Sequence, residues 1–440
     1  MTRLGPLLVL QTALAAVPTA AQDAPPPSGL INLYWDCTAP GCGDLDFLRR
    51  EVPFVNWMRD RADADLHVLG TSQTTGGGGR LYTLAFLGLG AFLGDDQELT
   101  FSTAADATAD EQRGGLVERL KLGLVRYVQG TDVADQLRVT YVGAATTPTP
   151  SVADEQSPPT SAQVDPWNFW TFNINLRANA NGEATARFSN TSAGFSANRT
   201  TETWKIELGV NASRFVQEFE VPSGGGTQTI EQTQADRRAN SSIVRSVGDQ
   251  WALGLRSTAS SSTRLNQKLR IALEPGAEFN FFPYSESSRR ALTLQYLVGP
   301  SYFEYDERTI FNQTQETRFI QSLTGGVSLI QPWGRWSTSV TAAQYLHDLE
   351  RYSVTVFGNL NVRIFRGFSI TASANYQWLR DQLYLSAGGA TTEQILLRQR
   401  QLETSYRYFY NIGIQYRFGS IFNNVVNPRF GGGGGDQFFF

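Results

Sequence analysis

The chain has 440 residues, a length that as a soft prior leaves room for two or three domains. It is 41% hydrophobic with a mean hydropathy of -0.27, and past the N-terminus it has no apolar run of the ~20 residues that a membrane-crossing helix needs, which excludes a helical membrane protein. A net charge of -4 without a basic stripe excludes an ordinary nucleic-acid binder.

The first residues read as a signal peptide over 1–21. Arg3 supplies the positive start, Leu4 to Val17 is apolar but too short to span, and Thr19-Ala20-Ala21 offers small residues for cleavage. Residues 23 to 33 are Pro-rich and read as an arm. Cys37 and Cys42 are the only cysteines. An exported chain in an oxidising compartment makes a disulfide the expected state of such a pair, and the intervening Pro40-Gly41 suits a tight ring. The spacing is not the Cys-x-x-Cys of redox-active pairs. Tyr34-Trp35-Asp36 before Cys37 lacks the small apolar residues that precede a lipidated cysteine.

Residues 33–143 read as a compact α/β domain. Asp44 caps a predicted helix with the stripe Leu45, Leu48, Val52 and Val55, broken at Pro53. Leu66 to Leu69 predicts a strand, Thr74 to Gly79 a turn, and Leu81 to Leu93 and Glu98 to Phe101 further strands. Asp110-Glu111 opens a second helix, where acidic charge is favourable, with apolar positions Leu116, Val117, Leu120, Leu124 and Tyr127. Leu137 to Val142 predicts a closing strand. This order of elements resembles periplasmic α/β domains of the TolB N-terminal and curli-secretion type, which implies a domain in the periplasm. Residues 144–166, rich in Pro, Thr and Ser, read as a linker.

From 167 to 418 the dominant signal is alternation. Tyr406, Tyr408, Tyr410, Ile412, Ile414, Tyr416 and Phe418 share one face, and Arg407, Phe409, Asn411, Gly413, Gln415 and Arg417 the other. The pattern recurs in Trp204, Ile206, Leu208 and Val210 against Lys205, Glu207 and Asn211, and in Ile370, Ala372, Ala374 and Tyr376 against Thr371, Ser373 and Asn375. Twelve strands are predicted, beginning near Trp167, Thr185, Thr203, Gln228, Gln250, Leu265, Arg289, Gln313, Arg335, Tyr352, Phe368 and Ile395. Connections alternate between tight ones, such as Arg366-Gly367, and looser ones, such as Pro222 to Thr229 and Thr309 to Thr317. Aromatic residues gather at the strand ends.

Long alternating strands with aromatic girdles resemble bacterial outer-membrane β-barrels. The resemblance implies an α+β periplasmic domain followed by an antiparallel transmembrane β-barrel of about 12 strands, closed because unpaired strand edges are costly in hydrocarbon. Tyr410 to Phe418 resembles the terminal strand that barrel-insertion machinery reads. Residues 419–440 read as a Gly-rich tail on the periplasmic side.

Chemistry is sparse. His67 and His347 are the only histidines, and neither is accompanied by the serine motif of a barrel phospholipase; no triad is expected. His67, between Leu66 and Val68, reads as a satisfied strand histidine. Gly76 to Gly79 lacks the Gly-Lys-Ser/Thr ending of a phosphate loop. Asp95-Asp96 and the Asp348, Glu350 pair read as turn and loop residues rather than metal ligands. No catalytic residue, metal or cofactor is expected. The functional candidates are charges on the inward face: Lys205, Glu207, Arg256, Arg270, Glu274, Glu278, Arg363, Arg407 and Arg417. They would line a small-solute path, or pair across the lumen and fill it. Mixed signs favour pairing and a narrow or occluded bore.

The expectation is a non-enzymatic outer-membrane protein, either a narrow pore or an anchor that presents its periplasmic domain to a protein partner. The alternative is an assembly or secretion partner protein, and last a barrel hydrolase. Membrane lipid and the insertion machinery are the expected partners, and nucleic acid is not.

Overall fold

The computed structural model describes residues 29–37, 39–140, 165–223, 225–388, 403–422 and 424. The predicted signal peptide, residues 144–164 of the predicted linker and the end of the tail lie outside the described residues.

Apolar residues at every second position define the first strand, β1 (Asn32–Cys37), which turns Leu33, Trp35 and Cys37 to one side and Tyr34 and Asp36 to the other. The Asp44 carboxylate then caps α1 (Leu45–Glu51) by accepting from the Phe47 N–H at 3.1 Å. Pro53, without an N–H, follows its end. This helix crosses to β2 (Asn56–Met58), which pairs parallel to β1. β3 (Leu66–Thr74) lies parallel to β1 on its other side, and β4 (Arg80–Gly88) and β5 (Gln97–Thr103) follow as antiparallel hairpins. The sheet order is β2-β1-β3-β4-β5. A capping box between Thr108 and Glu111 starts α2 (Ala109–Val128). Its stripe Leu116, Leu120, Leu124 and Tyr127 packs with Leu48 of α1 on Leu33, Leu66, Val68, Tyr82, Leu84 and Phe86, the core of this domain.

Three expectations here are corrected. The Pro-rich arm gives way to β1 at Asn32, so the last two residues read as arm belong to an inner strand of the small sheet. The strand beginning near Leu81 stops at Gly88, and Gly90–Phe92 is a turn of 3-10 helix. Leu137 to Thr140 form no strand, and the remaining two residues of that expected strand lie outside the described residues.

The second sheet has twelve strands in chain order, each antiparallel to its neighbour. They are β6 (Trp170–Gly182), β7 (Ala186–Thr200), β8 (Trp204–Ser223), β9 (Gly226–Val247), β10 (Trp251–Ser262) and β11 (Gln267–Asn280). There follow β12 (Arg290–Tyr305), β13 (Gln315–Gln331), β14 (Gly334–Tyr345), β15 (Asp348–Phe365), β16 (Phe368–Leu379) and β17 (Tyr406–Tyr416). The register carries each face across the ladder. Val340, Val356, Tyr376 and Tyr408 lie opposite one another in successive strands, as do Ser337, Asn359, Ser373 and Asn411 on the other face.

The apolar face is the exposed one. Ile174 and Leu176 are 75% and 81% exposed, and Ile412 and Ile414 67% and 70%. Along β12 the opposite face is buried at Leu297, Gly299, Ser301, Phe303 and Tyr305, while the residues between them are not. A water-soluble sheet buries its apolar side, so this sheet is built inside out.

The strand number matches the reading of the sequence, but closure does not. Among the described residues β6 and β17 do not pair, and the sheet is open at that seam. Alternation dictates which way each side chain faces; it carries no information on whether two end strands, separated by the whole sheet, meet in register. Two further expectations are corrected. Pro222 to Thr229 is not a loose connection, because β8 and β9 run on as a long hairpin of 20 and 22 residues. The last strand begins at Tyr406, whereas the start expected near Ile395 lies outside the described residues. Connections on the rim opposite Arg366-Gly367 are not uniformly long either, since Leu346-His347 alone joins β14 to β15.

Candidate functional site at the junction of the two sheets

Alternation in the small sheet leaves a second face, carrying Tyr34, Asp36, His67, Leu69, Thr71 and Ala85, away from the helical core. It is nevertheless closed off: His67 is fully buried and Leu69, Thr71 and Ala85 are 2%, 4% and 6% exposed. The polar contacts of this face run to the tight-turn rim of the large sheet.

Asp36 is the focus. Its Oδ2 accepts from the Arg363 guanidinium of β15 at 3.0 Å and lies 3.3 Å from His67 Nε2. Arg61 Nε donates to His67 Nδ1 at 3.2 Å. A guanidinium can only donate and a carboxylate only accept, so the imidazole is neutral with its proton on Nε2. Arg363 also donates to the Pro332 carbonyl at 3.2 Å and lies 4.9 Å over the Tyr34 ring, a cation–π contact.

Two more carboxylates grip the β15–β16 turn. Asp60 accepts from the Gly367 N–H at 2.6 Å, and Asp63 pairs with Arg366 at 2.9 Å. Gly367 has φ of +73°, so the two-residue turn that presents this N–H favours glycine.

The chain beyond β17 completes the attachment. Met58 bridges to Phe422, the Arg59 N–H donates to the Ile421 carbonyl at 3.0 Å, and Asn424 accepts from the Trp57 N–H at 2.6 Å. What was read as the start of a Gly-rich tail therefore lies along the edge of β2. Elsewhere the rim is touched lightly. Gln73 donates to Ser287 between β11 and β12, and Thr171 at the start of β6 donates to the Gly76 carbonyl at 3.5 Å. Strand β6 and the segment after β17 thus reach the same small domain, so the large sheet curls round on itself.

Burial sets the electrostatics. It would raise the Asp36 carboxyl, but the His67 hydrogen bond and the Arg363 charge outweigh it and hold the group below its usual range. Burial, with the charges of Arg61 and Arg363, keeps the His67 imidazole below its ordinary value against the pull of Asp36. Burial is also the main reason the Tyr34 phenol is pushed up to about 12.

Of the nine charges singled out from sequence, Arg363 joins this cluster, and Arg417 follows β17 with its N–H on the Gly367 carbonyl at 2.8 Å. The others lie elsewhere on the polar face. Lys205 pairs with Glu207 at 2.9 Å. Glu207, Ser242, Arg256 and Glu274 stand opposite one another across β8 to β11. Arg256 donates to Gln295 at 3.3 Å, and Gln295 donates to Glu278 at 3.0 Å. Arg270 lies 5.4 Å over the Phe303 ring, and Arg407 stands opposite Gln377. Lys205, Glu207, Arg256, Glu278 and Gln295 border a cavity of about 740 Å³ beside the rim.

At the opposite rim the connection after β16 folds inward. Ile310 donates to the Leu385 carbonyl at 2.8 Å, Thr309 bridges to Ser386, and Leu383 packs with Phe303, Tyr305 and Tyr345 on the polar face. His347, in the β14–β15 turn, is exposed beside the Tyr345 ring.

Sequence reasoning missed Asp36, Asp60, Asp63 and Arg61. The signal for Asp36 was the alternation of β1, in which a charged residue takes the non-core phase. The chain matches no known protein-family model and no curated protein sequence.

Proposed function

We propose that this is an outer-membrane β-barrel protein that acts as a narrow small-solute pore, held shut at its periplasmic mouth by its own α/β domain. The exposed apolar face of the twelve strands is the side that lipid covers. In hydrocarbon the free edges of β6 and β17 are costly, so the curled sheet closes along that seam in the membrane. The polar face with its paired charges and its cavity is then the lumen. The observation that carries the reading is the burial of the second face of the small sheet on the tight-turn rim, with Asp36 on Arg363.

The second reading is a membrane anchor that does not conduct. It is favoured by the inward-folded connection at the far rim, where Leu383 fills the polar face against Phe303, Tyr305 and Tyr345. Planar-bilayer recording on the refolded full chain separates the two. The pore reading expects small, rare openings in the native protein and frequent ones in Arg363→Glu, which sets like charge against Asp36. Silence of both proteins, with strands protected from protease in vesicles, leaves the anchor. Failure to insert into vesicles overturns both.

A further inference from the structure

The small domain is not held evenly. Three carboxylates, Asp36, Asp60 and Asp63, and the edge of β2 bind one sector of the rim, β15 to the segment after β17. Among the described residues the far side is held by the weaker contacts of Gln73 with Ser287 and of Gly76 with Thr171. Detachment therefore begins where attachment is thinnest, and it is controlled by what weakens the Asp36 focus.

His67 is wired to do that. Its neutral ring has both nitrogens committed, Nε2–H toward Asp36 and Nδ1 accepting from Arg61. A second proton goes to Nδ1, where it meets the Arg61 N–H and abolishes that hydrogen bond. The imidazolium binds the shared Asp36 oxygen more strongly than the neutral ring does, at the expense of its bond from Arg363. Its surroundings are cationic: Arg61, Arg335, Arg363 and Arg417 outnumber Asp36 and Asp60 around His67, Asp36 and Tyr34. Tyr34 opposite it is neutral, and its neighbour in β4 is the apolar Leu87. None of these groups welcomes the charge except Asp36, whose oxygen His67 shares with Arg363.

We infer that His67 is an acid-sensitive latch: its protonation drives apart Arg61, His67 and Arg363 and releases the α/β domain from the rim. On the proposed-function reading this opens the pore as the periplasm acidifies, but the release itself does not depend on conduction.

The test uses the full chain refolded into lipid vesicles, with spin labels at Glu118→Cys on α2 and Ser285→Cys in the β11–β12 connection. Pulsed electron resonance gives their separation at about pH 7.5 and about pH 5, either side of the histidine range. A single docked distance at the higher pH, joined by a longer population at the lower, is expected. His67→Gln preserves a donor to Asp36 and an acceptor for Arg61 but cannot titrate, and its distance stays docked at both values. Should that variant fail to fold, Arg61→Met serves instead. It leaves Nδ1 free to take the proton without meeting the Arg61 N–H and removes one of the three repelling cations, so acid releases the domain less. One unchanged distance in the native protein overturns the latch, as does an undiminished acid response in His67→Gln or in Arg61→Met. Current recorded from the same samples keeps the two ideas apart: release without current discards the pore and retains the latch.

Discussion

Asp36 and Arg363 lie 327 residues apart in the chain, yet one carboxylate oxygen of the first accepts a 3.0 Å hydrogen bond from the second. Their side chains are 14% and 25% exposed, so each is largely withdrawn from water. Asp36→Ala leaves the guanidinium with the Pro332 carbonyl and the Tyr34 ring. Loss of one partner of a buried pair costs about 3 kcal/mol. Hydrogen exchange of the β1 and β3 amides is expected to speed up accordingly. In the double variant with Arg363→Met the loss is smaller than the two single losses combined, because no unpaired charge remains.

Acid weakens the docked state in two steps. His67 titrates below its ordinary value of 6.5 when buried, so the released state takes up the proton first. Its contribution is complete above pH 6.5 and drains away as the pH falls below it. Asp36 is also held below its ordinary value of 3.8, so its contribution is present above that pH and lost as the pH drops further. Protection of the β3 amides should decline in both ranges. His67→Gln should erase the upper decline and keep the lower.

Gly123 of α2 sits against Phe86, and a Cβ built there would overlap the ring. Glycine to alanine in a helix gains about 1 kcal/mol from backbone propensity. Forcing an extra methyl into a packed core costs about 1–3 kcal/mol. The ring has no room, with Tyr127 stacked near it, so the second effect wins. Gly123→Ala is expected to lower the denaturant midpoint of the α/β domain, whereas Gly114→Ala, with open space around it, is not.

The Cys37–Cys42 bridge joins the end of β1 to the buried Cys42 of the core, with the Cα atoms 5.6 Å apart. Closing so short a loop restrains the unfolded chain by about 2 kcal/mol. Replacing both cysteines with alanine should destabilise the small domain by that amount. The twelve-stranded sheet should keep its own unfolding midpoint, a separation that chemical reduction of the native chain would reproduce.

Local periodicity made most of the elements legible. The stripe Leu116, Leu120, Leu124 and Tyr127 is the buried side of α2, and the alternation after residue 167 counts the strands. Non-local relations left no such trace. Short β1 has only three apolar positions, too few to stand out beside a Pro-rich arm. Nothing about Ile421 and Phe422 in sequence says that they lie along β2. His67 was legible as a satisfied strand histidine, but its partners were not. Asp36 carries charge in the phase that a solvent-facing strand would also show, and only the docked rim distinguishes the two.

The order of synthesis gives the β2 edge a further meaning. Residues 56–58 emerge early, whereas Ile421, Phe422 and Asn424 emerge after every strand of the large sheet. The small domain therefore takes hydrogen bonds from residues that lie beyond the whole large sheet, and a product truncated within that sheet lacks them.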